Sequence, residues 1–274
     1  MIQADNIPIA DVFYSCTERK ISSIDYYLGE HILIHVLDGK LVTRETDKSY
    51  TIYEGETILV ARNQLPRFTK YPSADKPYKS IVLFFSQPFL QTFFSSNLKN
   101  EEQNKMPMAH TLKKHPLLDS LFKSIVPYYE LSENLPEKLI TMKLTEAITI
   151  LRQIDISTDS ILADFGAPGK IDIAEFMQKN FAVNIQSDRF AYLTGRSLAT
   201  FKRDFQKAFN TSPQKWLHQK RLAQAHFLIG EKKQKPSDVY LAVGFENFSH
   251  FSFAFKKEFG YNPSEILSLT ANNH

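Results

Sequence analysis

Cysteine is almost missing from this chain: Cys16 is the only one in 274 residues. A lone thiol excludes an intrachain disulfide framework and any metal site built from several thiolates, and it fits a reducing compartment. No local partner activates it, so Cys16 reads as a plain, partly buried thiol. Long apolar runs are missing too, and no stretch approaches the ~18 residues of a membrane span. The start, MIQADNIPIADVF, has no basic segment followed by an apolar run. No signal peptide is therefore expected, and a cytoplasmic location is. Glycine is scarce, with 9 residues. There is no Gly-rich phosphate loop and no nucleophile elbow, which removes two common enzyme signatures.

Charge is small in sum and uneven in place. The chain carries +3, yet residues 171–274 hold 14 Lys+Arg against 9 Asp+Glu, and the other 170 residues hold 19 against 21. The excess of positive charge sits in the last third, as expected for a part that meets phosphate.

That last third also repeats itself. Phe201, Phe205, Phe209 and Pro213 recur as Phe251, Phe255, Phe259 and Pro263, and Ser187-Asp188 recurs as Ser237-Asp238. Gly195 and Gly244 each end a short apolar stretch. A repeat of this kind is one supersecondary unit used twice. Short helix, glycine turn and longer helix is the helix-turn-helix plan. Ser187 is expected to cap the first helix of unit one and Ser197 the second. Phe201, Phe205 and Phe209 share a helix face and are core, while Ala199, Lys202, Arg203 and Gln206 lie opposite. Lys and Arg there suit guanine edges or phosphates, and Gln suits adenine. In unit two, Phe251, Phe255 and Phe259 are core, and Ser249, Ser252, Phe253 and Lys256 point away. Asn247 and Phe248 stand at the helix start, where recognition helices meet bases. Phe253 is an outward aromatic that touches thymine methyls or leans on a neighbour. Pro213–Ile229 is long enough for one connecting helix, with Trp216, Leu217, Ala223 and Leu228 as core and Lys215, Lys220 and Arg221 solvated or near phosphate.

Upstream, residues 1–95 read as β structure, with short apolar or alternating runs between turn signals. His31–Leu37, Asp38-Gly39 and Lys40–Thr43 read as a hairpin. Tyr50–Tyr53, Glu54-Gly55-Glu56 and Thr57–Val60 repeat the pattern. Ile81–Phe85 suits a buried strand. Residues 116–131 and 136–153 read as helices. In the second, Ile140, Leu144, Ala147, Ile148 and Leu151 form an apolar stripe that packs on the β part or on a second subunit. Residues 156–170, rich in Ser, Asp, Gly and Pro, read as a linker with a short element in it.

The segments GRSLATFKRDFQKAFNTSPQKWLHQKRLAQAHFLI and PSDVYLAVGFENFSHFSFAFKKEFGYNPSEIL closely resemble the AraC/XylS family of transcriptional regulators. The match is sharpest over GF-x3-SHF-x3-FKK-x-FG-x-x-P, from Gly244 to Pro263, and covers about residues 171–270. The resemblance implies a multidomain chain. Residues 1–155 would be a cupin-like all-β barrel (about 1–95) with appended dimerisation helices (about 116–153), 156–170 a linker, and 171–274 an all-α DNA-binding domain of two helix-turn-helix units joined by a long helix. Matched residue by residue, the first reading positions fall on Ala199, Thr200, Lys202 and Arg203, and the second on Asn247, Phe248, Ser249 and Ser252. Ser197, Gln206 and Lys256 complete the candidate DNA contacts. Phe253 stands where the family often has a basic residue. The N-terminal half is similar to the ExsA-type regulatory domain, whose family includes control by protein partners. The implied partners are double-stranded DNA, a small-molecule or protein effector, a second copy of the chain through the helices at 116–153, and RNA polymerase if the outcome is activation.

The resemblance implies no cofactor, catalytic residue or metal. A metal-dependent cupin enzyme fused to a DNA-binding domain is the competing reading. His31 and His35 share a strand face at even spacing, and Glu45 is the nearest downstream carboxylate. A metal needs three or four convergent ligands, and the sequence offers at most two near one another. Tyr14, Tyr26, Tyr27, Tyr53 and Phe68 are the candidates for lining an effector pocket.

Overall fold

The structure, a computed structural model, describes residues 11–22, 27–44, 48–95, 109–131 and 136–266. Tyr26 and Glu45 lie outside them. The chain forms two compact units that divide between Gly166 and Ala167.

Among the described residues the first unit has nine strands, all paired antiparallel: β1 (Val12–Thr17), β2 (Ile21–Ser22), β3 (His31–Asp38), β4 (Lys40–Arg44), β5 (Ser49–Tyr53), β6 (Thr57–Val60), β7 (Arg67–Tyr71), β8 (Tyr78–Phe85) and β9 (Ala109–Leu112). They pair as two sheets, β1-β8-β3-β6-β9 and β2-β7-β4-β5. This corrects both hairpin expectations. β3 pairs with β6 and β8, whereas β4 pairs with β5 and β7. The Asp38-Gly39 and Glu54-Gly55-Glu56 turns are therefore corners at which the chain leaves one sheet for the other. Gly39 takes φ +78°, and a Cβ there would lie 2.4 Å from the Tyr71 carbonyl oxygen, so only glycine fits this corner. A turn signal reports the local bend and is blind to which strand the next segment will join.

Alternation decides the layers. Ile32, Ile34 and Val36 of β3 meet Leu41, Ile52 and Phe68 in a core between the sheets. Leu33 of β3 and Ile81, Leu83 and Phe85 of β8 face the other way, under the helices. Those helices are α1 (Gln87–Ser95), α2 (Pro116–Leu131), α3 (Glu137–Ile154) and, after a 3-10 turn at Ile156–Thr158, α4 (Asp159–Leu162). The stripe Ile140, Leu144, Ala147, Ile148 and Leu151 is buried in this second core. It packs on its own β sheet, which resolves the alternative left open by the sequence. Ile161 and Leu162 are buried in the same core. The stretch expected as a linker thus belongs to the first unit as far as Gly166, because two apolar side chains anchor it. The β region is not confined to residues 1–95 as expected: its first run of strands stops at Phe85, and β9 joins the first sheet from residues 109–112. Residues 87–95 are helical, with Leu90 and Phe94 buried one turn apart.

The second unit is all helix: α5 (Ile173–Asn180), α6 (Ser187–Leu193), α7 (Leu198–Phe209), α8 (Pro213–Gly230), α9 (Pro236–Ala242) and α10 (Phe248–Phe259), closed by a 3-10 turn at Pro263–Glu265. Phe201, Phe205, Phe251 and Phe255 are fully buried, and Phe209 and Phe259 are half-buried at the helix ends. Trp216 packs edge-on against Phe205 at 5.8 Å, and the His226 ring lies 6.0 Å from Phe255. The connector α8 thus serves both aromatic cores. Its 18 residues span about 27 Å at 1.5 Å per residue. Leu217, Leu222, Ala225 and Ile229 are buried along it, with Pro213 and Gly230 at its ends, while Ala223 is exposed and Trp216 and Leu228 are only half-buried, against expectation.

Candidate nucleic-acid interface

The two repeated helices, α7 and α10, each start at a side-chain cap and are rotated by their phenylalanines. The Ser197 hydroxyl accepts the Thr200 amide at 3.3 Å, and the Asn247 side chain accepts the His250 amide at 3.1 Å. Ser187 does not cap α6. It is the first helical residue, Gln186 precedes it, and no side chain bonds the helix end. With Phe201 and Phe205 buried, the opposite face of α7 must meet solvent. Ala199, Lys202, Arg203 and Gln206 are exposed there, and Thr200 is half-buried. On α10, Asn247, Phe248, Ser249 and Lys256 are exposed, Ser252 is half-buried, and Phe253 is 71% exposed. All the candidate DNA contacts therefore lie on the accessible side of two equivalent helices.

Electrostatics separate cations that are open to a ligand from cations that hold the fold. Arg203 only grazes Asp204, at 3.4 Å and in the open. Arg196, which sequence reasoning missed, bonds Asp204 at 3.1 Å and also donates to the carbonyls of Ile171 and Thr194. The hydrogen bond from Arg196, and then that from Arg203, holds the Asp204 carboxyl below its usual range. Arg221 is a correction. It is half-buried and donates to the carbonyls of Phe181 (2.8 Å), Val183 (2.9 Å) and Gly244 (3.0 Å). It is a structural tie between the loop before α6 and the turn before α10, rather than a freely solvated side chain. Lys220 lies over the Phe181 ring at 5.7 Å, and Lys215 is exposed. Sequence pattern could not separate these neighbours, because the distinction depends on carbonyls about 40 residues away.

The glycine turns are tight. Gly195 takes φ +66°, and a Cβ there would sit 2.5 Å from the Gly169 backbone. Gly244 takes φ +92°, with the Ala182 carbonyl oxygen 2.3 Å from a built Cβ.

In the first unit the two histidines behave as core residues. Both are 1% exposed and lie on the helix-covered face of β3. His35 Nδ1 is 2.9 Å from the Thr57 hydroxyl, and its ring stacks on Phe122 of α2 at 4.5 Å. His31 Nδ1 accepts the Arg62 amide at 3.2 Å. Among the described residues no group of three or more His, Cys, Asp or Glu is placed to hold a metal. Burial holds both imidazoles down at about 4, with the Arg62 guanidinium adding to the effect at His31. In the unfolded chain they take protons near 6.5. Each therefore favours folding fully above pH 6.5, and that contribution is lost as pH falls toward about 4, because only the unfolded state binds the proton. Hydrogen-exchange protection in β3 and β8, taken relative to the intrinsic exchange rate at each pH, is expected to fall across that window, and less so in the variant carrying both His31→Gln and His35→Gln. An equal acid response in the two proteins would exclude these histidines as the cause.

Among the described residues the effector-pocket candidates do not converge. Tyr14 stacks on Tyr129 at 5.5 Å under the helices, and Phe68 is buried between the sheets. Tyr27 bonds Asn63 at 2.9 Å, and Tyr53 lines an open depression with Lys40, Glu54 and Lys114. Cys16, expected to be partly buried, is exposed on β1.

Known proteins share both units. Residues 31–160 match the ExsA N-terminal regulatory domain and residues 190–268 a helix-turn-helix domain. The virulence regulon transcriptional activator VirF of Yersinia enterocolitica is 22% identical over 238 residues, covering 84% of this chain and 86% of that protein. The HTH-type transcriptional regulator ExsA of Pseudomonas aeruginosa is 24% identical over 252 residues, covering 89% and 88%. Among solved structures, an apo form of a ToxT point variant from Vibrio cholerae aligns over 93% of this chain and 96% of that one, at 14% identity and a TM-score of 0.48. Among the described residues no helix is long and apolar enough to cross a membrane.

Proposed function

The chain belongs to the AraC family of transcriptional regulators, which are DNA-binding proteins and not enzymes, and on that premise we propose that α7 and α10 enter successive major grooves of a promoter. The observation that carries this is the pair of capped helices, each with one face locked into an aromatic core and the other open to solvent. Ala199, Thr200, Lys202, Arg203 and Gln206 read or hold the first half-site, and Phe248, Ser249, Ser252 and Lys256 the second. Ser197 and Asn247 bring the two helix N-termini to the backbone. The DNA-reading part is residues 171–274. Two helices on one DNA face need half-sites about 34 Å apart, or about 10 base pairs.

The first unit is the switch. Its two sheets are read as a flattened cupin-like barrel, and α2 and α3 as the surface that pairs two copies. Leu117 and Met142 on these helices, and Ile156 just beyond them, are exposed apolar side chains that support pairing. A small molecule or a protein would act by favouring the DNA-competent arrangement over its alternative, which requires different affinities for the two. The name of the VirF relative, a transcriptional activator, favours activation, which would act through RNA polymerase in the cytoplasm.

Selection of the full-length protein against random duplex pools, across salt concentrations, tests this. The expected product is a two-part site with a defined sequence in each part. On that site Arg203→Ala is expected to weaken binding by about 1–3 kcal/mol and to relax preference at one base pair. Lys202→Ala should weaken all sequences alike and lower the salt slope by about 1. If neither substitution changes binding, α7 does not face DNA.

A further inference from the structure

The two reading helices superpose residue for residue in sequence. Both run 12 residues, from Leu198 and from Phe248, so that Lys202 corresponds to Ser252, Arg203 to Phe253 and Gln206 to Lys256. The equivalence holds in three dimensions, because the residues that set the rotation of each helix also correspond. Phe201 and Phe251, and Phe205 and Phe255, are all fully buried. Phe253 therefore stands in unit two where Arg203 stands in unit one.

Nothing in its own unit claims Phe253. It is the most exposed large apolar side chain among the described residues, at 71%, on a helix whose other central phenylalanines are 0% exposed. Its neighbours one turn back are Ser249 and His250, and one turn on are Lys256 and Lys257. All four are exposed. The aromatic ring is thus flanked along the helix by a hydroxyl and an imidazole on one side and by two lysines suited to phosphates on the other.

Resting on the reading that α10 enters a major groove, we propose that Phe253 reads thymine, by packing on the C5-methyl group, at the position where unit one uses Arg203. The thymine methyl is the apolar group that a base pair presents in the major groove, and phenylalanine has no donor with which to read guanine or adenine. The two units then divide the work. The first reads through a charged fork and the second through apolar contact, with Lys256 and Lys257 holding the backbone. Burial of a methyl group is insensitive to salt, so discrimination at this base should persist where the phosphate contacts weaken.

The test uses the full-length protein and the duplex it selects. Thymine in the second half-site is replaced, one position at a time, by deoxyuridine, which removes only the methyl. At one position wild-type binding should weaken about fourfold, by a similar factor at low and high salt. Phe253→Ala should bind the thymine and uracil duplexes alike, and Phe253→Arg should move the preference at that base pair toward guanine. Selective binding by the wild type with no uracil effect at any position overturns the thymine contact and leaves the DNA-reading function standing. Selection of a single half-site overturns it as well. Absence of selective binding overturns both.

Discussion

Gly244→Ala is expected to lower the stability of the second unit by at least about 3 kcal/mol, with loss of DNA binding at physiological temperature. Two effects add. An L-residue at φ +92° pays roughly 1–2 kcal/mol in backbone energy. The new methyl would also lie 2.3 Å from the Ala182 carbonyl oxygen and 3.0 Å from Arg221 Nε, so backbone must move. Gly260 supplies the control. It takes φ +87° with nothing within 4 Å of a built Cβ, so Gly260→Ala should cost only about 1–2 kcal/mol. The repeat strengthens that contrast, because the equivalent position in unit one is Asn210, at φ 53°. Gly260→Asn should therefore be nearly silent. Thermal unfolding followed by circular dichroism ranks the three. A Gly244→Ala protein that melts with the wild type would mean that the α9–α10 turn is looser than this geometry.

Arg221→Ala is expected to destabilise the DNA-binding unit by about 3 kcal/mol, as three backbone carbonyls lose a charged donor, each bond being worth about 1.5–3 kcal/mol and not additive. Partial exposure of Arg221 lets water replace some of that loss. Arg221→Lys should recover little, since a single ammonium cannot reproduce the guanidinium fork. Lys215→Ala, on the exposed side of the same helix, should change stability by less than about 0.5 kcal/mol. In binding, Arg221→Ala should loosen the coupling between half-sites, so that changing the spacing penalises the variant less than the wild type. Equal melting temperatures for the Arg221 and Lys215 variants would return Arg221 to the role of phosphate contact.

Much of the second unit was legible from residues alone. Phenylalanine at i, i+4 and i+8, stated twice at an offset of 50, specifies two helices and the face each buries, and whatever lies opposite is left to solvent. The roles of single cations were not legible. Arg203 and Arg221 look alike in a helical pattern, yet one meets water and the other meets the carbonyls of Phe181, Val183 and Gly244. The first unit was legible as β structure and misread as hairpins. Asp-Gly marks a reversal, and both a hairpin and a sheet-to-sheet corner reverse the chain.

What the sequence determined by itself is therefore what local periodicity and a repeat can encode: the class of each unit, the two repeated helices and the faces they expose. Only the tertiary structure decided the strand partners of β3 to β6, the burial of His31 and His35 under helices, the anchoring of residues 156–166 in the first core, and the tie made by Arg221. All four depend on contacts between residues distant in the chain, where burial and hydrogen bonding reward partners that no local window contains.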